Sequence, residues 1–275
     1  MYEVNEKLVR LALVGKDVSK SLSKSMHTFI LREMGYSCSY EKLSVDKENF
    51  DGAMRYLLGD FDGFNVTIPY KRDVMEYLNE VTGDAFFFGA VNTVTCRDLK
   101  GYNTDGIGFL LMLRLNGIDV TGKKVLVLGG GGSGRSSAAI MKKAGAEVSV
   151  YQRRKEKLQE LCLELGVRAA ESPENGGYDI LVNCTGVGMH DTVGVSPISI
   201  KAFDGASYAV DLIYNPAETE FLRLAKACGL KTLNGAAMLF YQAYFADCLY
   251  IQREGNDAEA EALYQKYLKE NGGVL

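Results

Sequence analysis

The chain has 275 residues, long for one core and suited to two domains, and its 47% hydrophobic and 24% charged content is that of an ordinary globular protein. A net charge of -4 leaves no basic excess to neutralise phosphates, which argues against a general nucleic-acid surface. Six scattered cysteines without a C-x-x-C pair argue against a zinc site or disulfide framework, and a charged start over residues 1–7 with no membrane-length apolar run makes the cytoplasm the default location.

Residues 8–15 read as a strand ending in glycine. A polar stretch, 16–24, leads into a helix with Met26, Phe29, Ile30 and Met34 at helical spacing, stopped by Gly35. Residues 37–45 alternate as a second strand. Asp46 is expected to cap a helix carrying Phe50, Met54, Leu57 and Leu58. Residues 61–68 form a third strand, broken by Pro69, and 89–96 form another extended run before a turn at 98–101. This alternation of strand and helix signals implies a first βα domain.

A helix at 108–116 connects to a buried β-run, Val125-Leu126-Val127-Leu128, which passes at once into glycines. Gly129, Gly131 and Gly134 meet the G-x-G-x-x-G spacing, and a helix-compatible segment follows. The three glycines serve a tight turn, close backbone approach to a pyrophosphate, and close helix–sheet packing. The helix start offers unpaired N–H groups and the positive dipole end to phosphates. Strands at 147–152, 178–183, 208–212 and 230–232, with helices at 156–165 and 218–228, complete a parallel, doubly wound, Rossmann-type sheet. Beyond Gly235 the pattern is wholly helical, 236–252 and 257–270. Helices with no following strand have no place in that sheet, so they are expected to return to the first domain. The fold class is therefore α/β, with an N-terminal αβα domain over 1–105 completed by 236–275, and a dinucleotide-binding domain over 106–235.

Several motifs occur in order along nearly the whole chain: Ser21-Leu22-Ser23 with Met26-His27, Asn65-Val66-Thr67-Ile68-Pro69-Tyr70-Lys71, Gly89-Ala90-Val91-Asn92-Thr93, and Asn103-Thr104-Asp105-Gly106. After the glycine loop come Asn183-Cys184-Thr185-Gly186-Val187-Gly188-Met189, Asp211-Leu212-Ile213-Tyr214, and Gly235-Ala236-Ala237-Met238-Leu239 with Gln242. In this the chain resembles the shikimate dehydrogenases. The resemblance implies NADPH-dependent, reversible reduction of 3-dehydroshikimate to shikimate, a step toward chorismate and the aromatic amino acids. It also implies an active site in a cleft between the domains, with hinges near residues 103–108 and Gly235 that close to exclude water.

Lys71 is the leading catalytic candidate. It follows Pro69 where a strand has just ended, and reduction of a ketone needs a proton donor at the carbonyl oxygen as hydride arrives. An ammonium supplies that proton and stabilises the developing alkoxide. Asp105 is paired with it by the resemblance; an Asp at a helix start is equally an N-cap, and both roles hold only if its two oxygens are divided between them. By the same carry-over, Ser21 and Ser23 hold the substrate carboxylate with Tyr214 near it, and Asn65, Thr67, Asn92, Asp105 and Gln242 bind ring hydroxyls. Hydroxyl and amide side chains suit such a ligand. Lys20, Lys24 and Thr28 depart from the family pattern. The two lysines either strengthen anion binding or point to solvent, and the departure leaves quinate and aminated shikimate analogues open as substrates.

NAD-specific units carry an acid about 20 residues after the glycines, at the tip of the second strand. Here that tip reads Gln152-Arg153-Arg154, which would repel nothing on a 2′-phosphate and can pair with it bidentately. NADP(H) is thus the expected cofactor. Its site is expected to comprise Gly129, Gly131, Gly132, Ser133, Gly134, Arg135, Gln152, Arg153, Arg154, Thr185, Gly188, Met189, Gly235 and Met238. No metal is expected. Cys184 reads as buried and His27 as structural. The expected partners are the small-molecule substrate and, at most, a second copy of the chain, with neither nucleic acid nor membrane. The rival from another class is a catalytically quiet nucleotide-binding regulator.

Overall fold

The computed structural model describes residues 7–272; residues 1–6 of the charged start and the end of the C-terminal segment expected to reach 275 lie outside them. The described chain divides into two compact units, residues 7–104 with 240–272, and residues 105–239.

The first unit runs β1 (Leu8–Gly15), α1 (Ser23–Glu33), β2 (Ser37–Ser44), α2 (Phe50–Asp60), β3 (Gly63–Val66), β4 (Glu80–Val81), α3 (Gly83–Phe88), β5 (Thr93–Thr95) and β6 (Lys100–Tyr102). These strands form one mixed sheet in the order β2-β1-β3-β5-β6-β4. β1 lies parallel to β2 and β3, whereas β5 runs antiparallel to β3 and β6. Leu11, Ala12, Leu13 and Val14 are all buried, the mark of a central strand covered on both faces. α1 buries Met26, Phe29 and Ile30, and ends where Gly35 takes a left-handed φ of 85° and Tyr36 N–H donates to the Leu31 carbonyl.

Three local expectations change. Asp46 makes no side-chain cap; a 3-10 turn over Lys47–Asn49 precedes α2 instead. The third strand is shorter than 61–68: it spans Gly63–Val66, and in the turn that follows Tyr70 N–H donates back to the Thr67 carbonyl. The extended run 89–96 pairs only over Thr93–Thr95, since Gly89 is the left-handed terminus of α3.

The second unit contains α4 (Asp105–Leu115), β7 (Lys124–Leu128), α5 (Gly132–Lys143), β8 (Glu147–Tyr151), α6 (Lys155–Leu165), β9 (Arg168–Ala169), β10 (Ile180–Asn183), β11 (Tyr208–Asp211), α7 (Glu220–Ala227) and β12 (Lys231–Leu233). Every strand pair in its sheet, β12-β11-β10-β7-β8-β9, is parallel. From β7 the chain moves outward to β8 and β9, then crosses back to β10 and builds the other half. That places the switch point between β7 and β10, where open α/β sheets bind ligands at the strands' carboxyl ends. Leu126, Leu128, Leu181, Phe203 and Phe221 fill one side of this unit's core.

α8 (Ala236–Tyr250) and α9 (Asp257–Glu270) end the described chain, and α9 packs on α1. Phe29 meets Phe240 and Tyr267 edge to face there, and Phe240 and Tyr267 are tilted against each other, with centroids 5.1 to 6.3 Å apart. No helix among the described residues is long and apolar enough to cross a membrane.

Candidate active site

In the first unit, strand register sets a polar row. Tyr40 on β2 lies opposite Leu11, which lies opposite Gly63, and Asn65 two residues on faces the same side of the sheet. Asn65 is in turn the cross-strand partner of Thr93. The Tyr40 hydroxyl donates to Asn65 Oδ1 at 2.9 Å, and Asn65 Nδ2 points to Thr93 Oγ1 at 3.4 Å. Thr93 donates to Asn92 Oδ1 at 2.9 Å, which also accepts the Thr104 backbone N–H at 2.8 Å. A backbone N–H can only donate, so it fixes the orientation of the Asn92 amide. Asn92 Nδ2 then faces Thr104 Oγ1 at 3.0 Å and Gln242 Oε1 at 3.4 Å.

The row continues at its other end into the serine stretch. Ser23 lies beside the Tyr40 hydroxyl. Ser21 Oγ donates to Ser23 Oγ at 3.0 Å and accepts the Ser23 N–H at 3.2 Å. Lys42 binds the carbonyls of Ser19 and Ser21 from below, fixing that turn. Burial, with Asp247 nearby, raises the Tyr40 phenol well above its ordinary value, so it remains a donor. The structure thus brings Ser21, Ser23, Asn65, Asn92 and Gln242 into one row of neutral groups, hydrogen-bonded without a break from Tyr40 to Gln242. It adds Tyr40, Thr93 and Thr104, which the sequence reading did not single out. Their one advance signal was position, beside candidates or inward on an alternating strand. Thr67 is half-buried in the turn after β3, where its N–H bonds to the Val14 carbonyl and its methyl fits only because residue 15 is glycine.

Lys71 follows in the same turn, half-buried, its carbonyl accepting the Val91 N–H at 2.7 Å. Asp105, 7% exposed, opens α4 as its first residue instead of preceding it. A carboxylate in a first turn is favoured by the helix dipole. Lys71 belongs to the first unit and Asp105 to the second.

In the second unit the glycines behave as their spacing predicts. Gly129 turns with φ of 98°. A β-carbon on Gly134 would lie 2.0 Å from the Gly129 carbonyl oxygen, so only glycine allows this strand–helix approach. Gly131 is the N-cap of α5, and a β-carbon there meets nothing within 4 Å. Its neighbourhood is an open cradle of backbone N–H groups at a helix start, a fit for a pyrophosphate. The helix begins at Gly132, so Gly132, Ser133, Gly134 and Arg135 form its first turn. Arg135 ion-pairs with Glu164 of α6. Gln152 packs its amide over Gly130 and donates to the Arg154 carbonyl at 3.3 Å. Arg153 and Arg154 are exposed at the β8 tip, where no carboxylate stands.

The loop after β10 lies at the same sheet edge. Thr185 donates by N–H and hydroxyl to Asn183 Oδ1 at 3.0 and 2.7 Å, and Val187 N–H returns to Thr185 Oγ1 at 3.1 Å. Gly188 has φ of 116°, with Met189 next. Tyr214, half-buried, has its phenol raised by burial and stays protonated. A β-carbon on Gly235 would lie 2.1 Å from the Leu212 carbonyl oxygen, and Met238 is buried one helical turn on.

His27 is fully buried, its Nδ1 2.6 Å from Asp247 Oδ1 and its ring stacked on Tyr40 at 4.9 Å. Burial pushes the Asp247 carboxyl up to about 6, opposed by His27. The partly buried Cys184 has its thiol raised to about 12 by desolvation, which leaves it inert as a nucleophile. Lys20, Lys24 and Thr28 are exposed. Among the described residues, no group of three or more His, Cys, Asp or Glu is placed to hold a metal ion.

Residues 13–94 match the family described as the shikimate dehydrogenase substrate binding domain, and residues 108–192 match that described as the alanine dehydrogenase/PNT C-terminal domain. A shikimate dehydrogenase (NADP(+)) of Thermus thermophilus is 39% identical, with 87% of this chain and 91% of that protein covered. One from Carboxydothermus hydrogenoformans is 38% identical over 88% of this chain and 91% of its own length. Among solved structures, the Thermus thermophilus shikimate 5-dehydrogenase in complex with NADP(H) and shikimate superposes with a TM-score of 0.86 at 37% identity, covering 94% of this chain and 99% of that one. Sequence and fold agree along nearly the full length, and the chain belongs to the shikimate dehydrogenase family.

Proposed function

We propose that this protein catalyses the NADP-dependent, reversible reduction of 3-dehydroshikimate to shikimate, the first unit binding the substrate and the second the cofactor. The observation that carries the reading is the row of neutral donors and acceptors that runs from Ser21 and Ser23, beside Tyr40, to Gln242. Such a row suits a small ring bearing hydroxyls and one carboxylate. The glycine cradle at α5 and the acid-free tip Gln152-Arg153-Arg154 favour a dinucleotide with a 2′-phosphate.

NADPH, when bound, supplies the hydride. Lys71 delivers a proton to the carbonyl oxygen and offsets the charge that develops there. Asp105 accepts a hydrogen bond from a substrate hydroxyl. Ser21 and Ser23 hold the carboxylate, with Tyr214 as a further donor, and Asn65, Thr67, Asn92 and Gln242 bind the hydroxyls. Gly129, Gly131, Gly132, Ser133 and Gly134 take the pyrophosphate, and Arg153 and Arg154 take the 2′-phosphate. Thr185, Gly188, Met189, Gly235 and Met238 line the nicotinamide end. Arg135, which ion-pairs with Glu164 across the start of α5, is a further candidate for the phosphates.

The test is oxidation of shikimate and of quinate, each with NADP and with NAD, on the purified protein. Shikimate with NADP is expected to give the highest kcat/KM. Preference for quinate or for NAD overturns the corresponding half of the reading. Tight NADP binding with no turnover of either acid would replace it with a nucleotide-binding regulator.

A further inference from the structure

Asp211 ends β11 with its side chain fully buried, and every hydrogen-bond partner it has in this loop is a neutral donor. Oδ1 accepts Asn183 Nδ2 at 3.1 Å and the Ile213 N–H at 3.0 Å, and Oδ2 accepts the Thr219 hydroxyl at 2.6 Å. Asn183, held this way, turns its own Oδ1 toward Thr185 and donates to the Val187 carbonyl at 3.2 Å. Thr219 is the N-cap of α7, accepting the Leu222 N–H at 3.3 Å, and its side chain closes over Gly188. One carboxylate therefore joins the turn after β10, the turn after β11 and the start of α7.

We infer that Asp211 is a positioning residue for the dinucleotide: it sets the loop that carries Thr185, Gly188 and Met189. The inference rests on the NADP reading given above. Three donors converge on two oxygens, an arrangement that an ionised carboxylate, an acceptor at both oxygens, meets in full. Burial raises the Asp211 carboxyl, opposed by these same hydrogen bonds, so a carboxylate here is held against a desolvation cost that a merely space-filling position would avoid.

An amide at this position leaves one of these donors without an acceptor. In Asp211→Asn, either the buried Thr219 hydroxyl proton loses its acceptor while its oxygen takes the NH2, or Asn183 and the Ile213 N–H face N–H instead of oxygen. Adding Thr219→Asp reverses the mismatch: the amide oxygen accepts from Asn183 and Ile213, its NH2 donates to the new carboxylate, and an aspartate still caps α7. The experiment measures NADP affinity by calorimetry on the full-length protein, alongside shikimate kinetics. Asp211→Asn is expected to weaken NADP binding about tenfold. Thr219→Val is expected to weaken it about threefold, and Asp211→Asn with Thr219→Asp to return it to within about threefold of the parent. The shikimate KM is expected to move less than the NADP affinity in each. An Asp211→Asn protein that binds NADP as the parent does, or a double variant no better than the single one, overturns the inference. If Asp211→Asn fails to fold, Thr219→Val decides, and parental affinity there overturns it. A parent protein that does not bind NADP at all would instead overturn the functional reading.

Discussion

Tyr40 donates its phenolic hydrogen to Oδ1 of Asn65 across 2.9 Å while its ring lies on that of His27. The bond commits the amide oxygen of Asn65 and so orients its NH2 toward Thr93 and the rest of the row. Tyr40→Phe keeps the stacked ring and removes only the hydroxyl. The Asn65 amide oxygen then loses its donor, while its NH2 keeps the Asn92 carbonyl and Thr93. We expect the shikimate kcat/KM to fall about tenfold, chiefly through KM, with about 1 kcal/mol of stability lost. Steady-state kinetics at saturating NADP check it, and an unchanged shikimate KM would remove Tyr40 from the substrate site.

Lys71 is only half-buried and contributes its carbonyl, not its side chain, to the framework hydrogen bond with Val91. Lys71→Ala is therefore expected to leave the fold intact and lower kcat by about 10²- to 10⁴-fold, the range lost with a general acid. Rapid-mixing or steady-state rates give the first number and a thermal melt the second. A loss below tenfold would exclude Lys71 as the proton donor.

The glycine loop separates two effects that one motif combines. A methyl on Gly134 would sit 2.0 Å from the Gly129 carbonyl oxygen, backbone against backbone, with no flexible group able to yield. Gly134→Ala should cost at least about 2 kcal/mol in a denaturant titration. At Gly131 the same methyl meets nothing within 4 Å, and φ of -72° suits alanine. Gly131→Ala should keep its stability within about 1 kcal/mol yet weaken NADP binding tenfold or more, because in the proposed binding mode the methyl stands where the pyrophosphate approaches. Equal behaviour of the two variants in both assays would contradict this division.

The second unit was readable because parallel strands buried on both faces appear as unbroken aliphatic runs, and residues 125–128 followed by glycines admit few other structures. What escaped was short or set from afar. β4 and β9 span two residues each, too few for any periodicity, and α3 spans six. α5 starts at Gly132, inside the glycine run itself, because its first turn is built of residues that allow close approach and not of helix formers. Asp46 has the right residue type for a cap, but tertiary packing places a 3-10 turn there. Among the site residues, Lys71 could be singled out only by its motif, since nothing in composition separates it from Arg72. Tyr40 was illegible because its partners, Ser23, His27 and Asn65, are joined to it only by the sheet and the helix packed over it.

The His27–Asp247 pair gives a pH-dependent signature that the local sequence gave no hint of. Burial raises the Asp247 carboxyl from 3.8 to about 6, so between those values the native state keeps a proton that the unfolded chain releases. Stability contributed by this group is then highest below about pH 4, declines as pH rises through the window, and is fully lost above about 6. Asp247→Asn has no such titration but keeps an oxygen for His27. Groups remote from Asp247 titrate alike in both proteins and cancel in the comparison, which leaves the His27–Asp247 pair. The parent's stability relative to Asp247→Asn should therefore fall between pH 4.5 and 7.5, by an amount on the order of 2 kcal/mol. Denaturant titrations of both proteins at the two pH values measure it directly. A difference that stays constant, or grows with pH, would mean that Asp247 is ionised throughout this range in the folded protein.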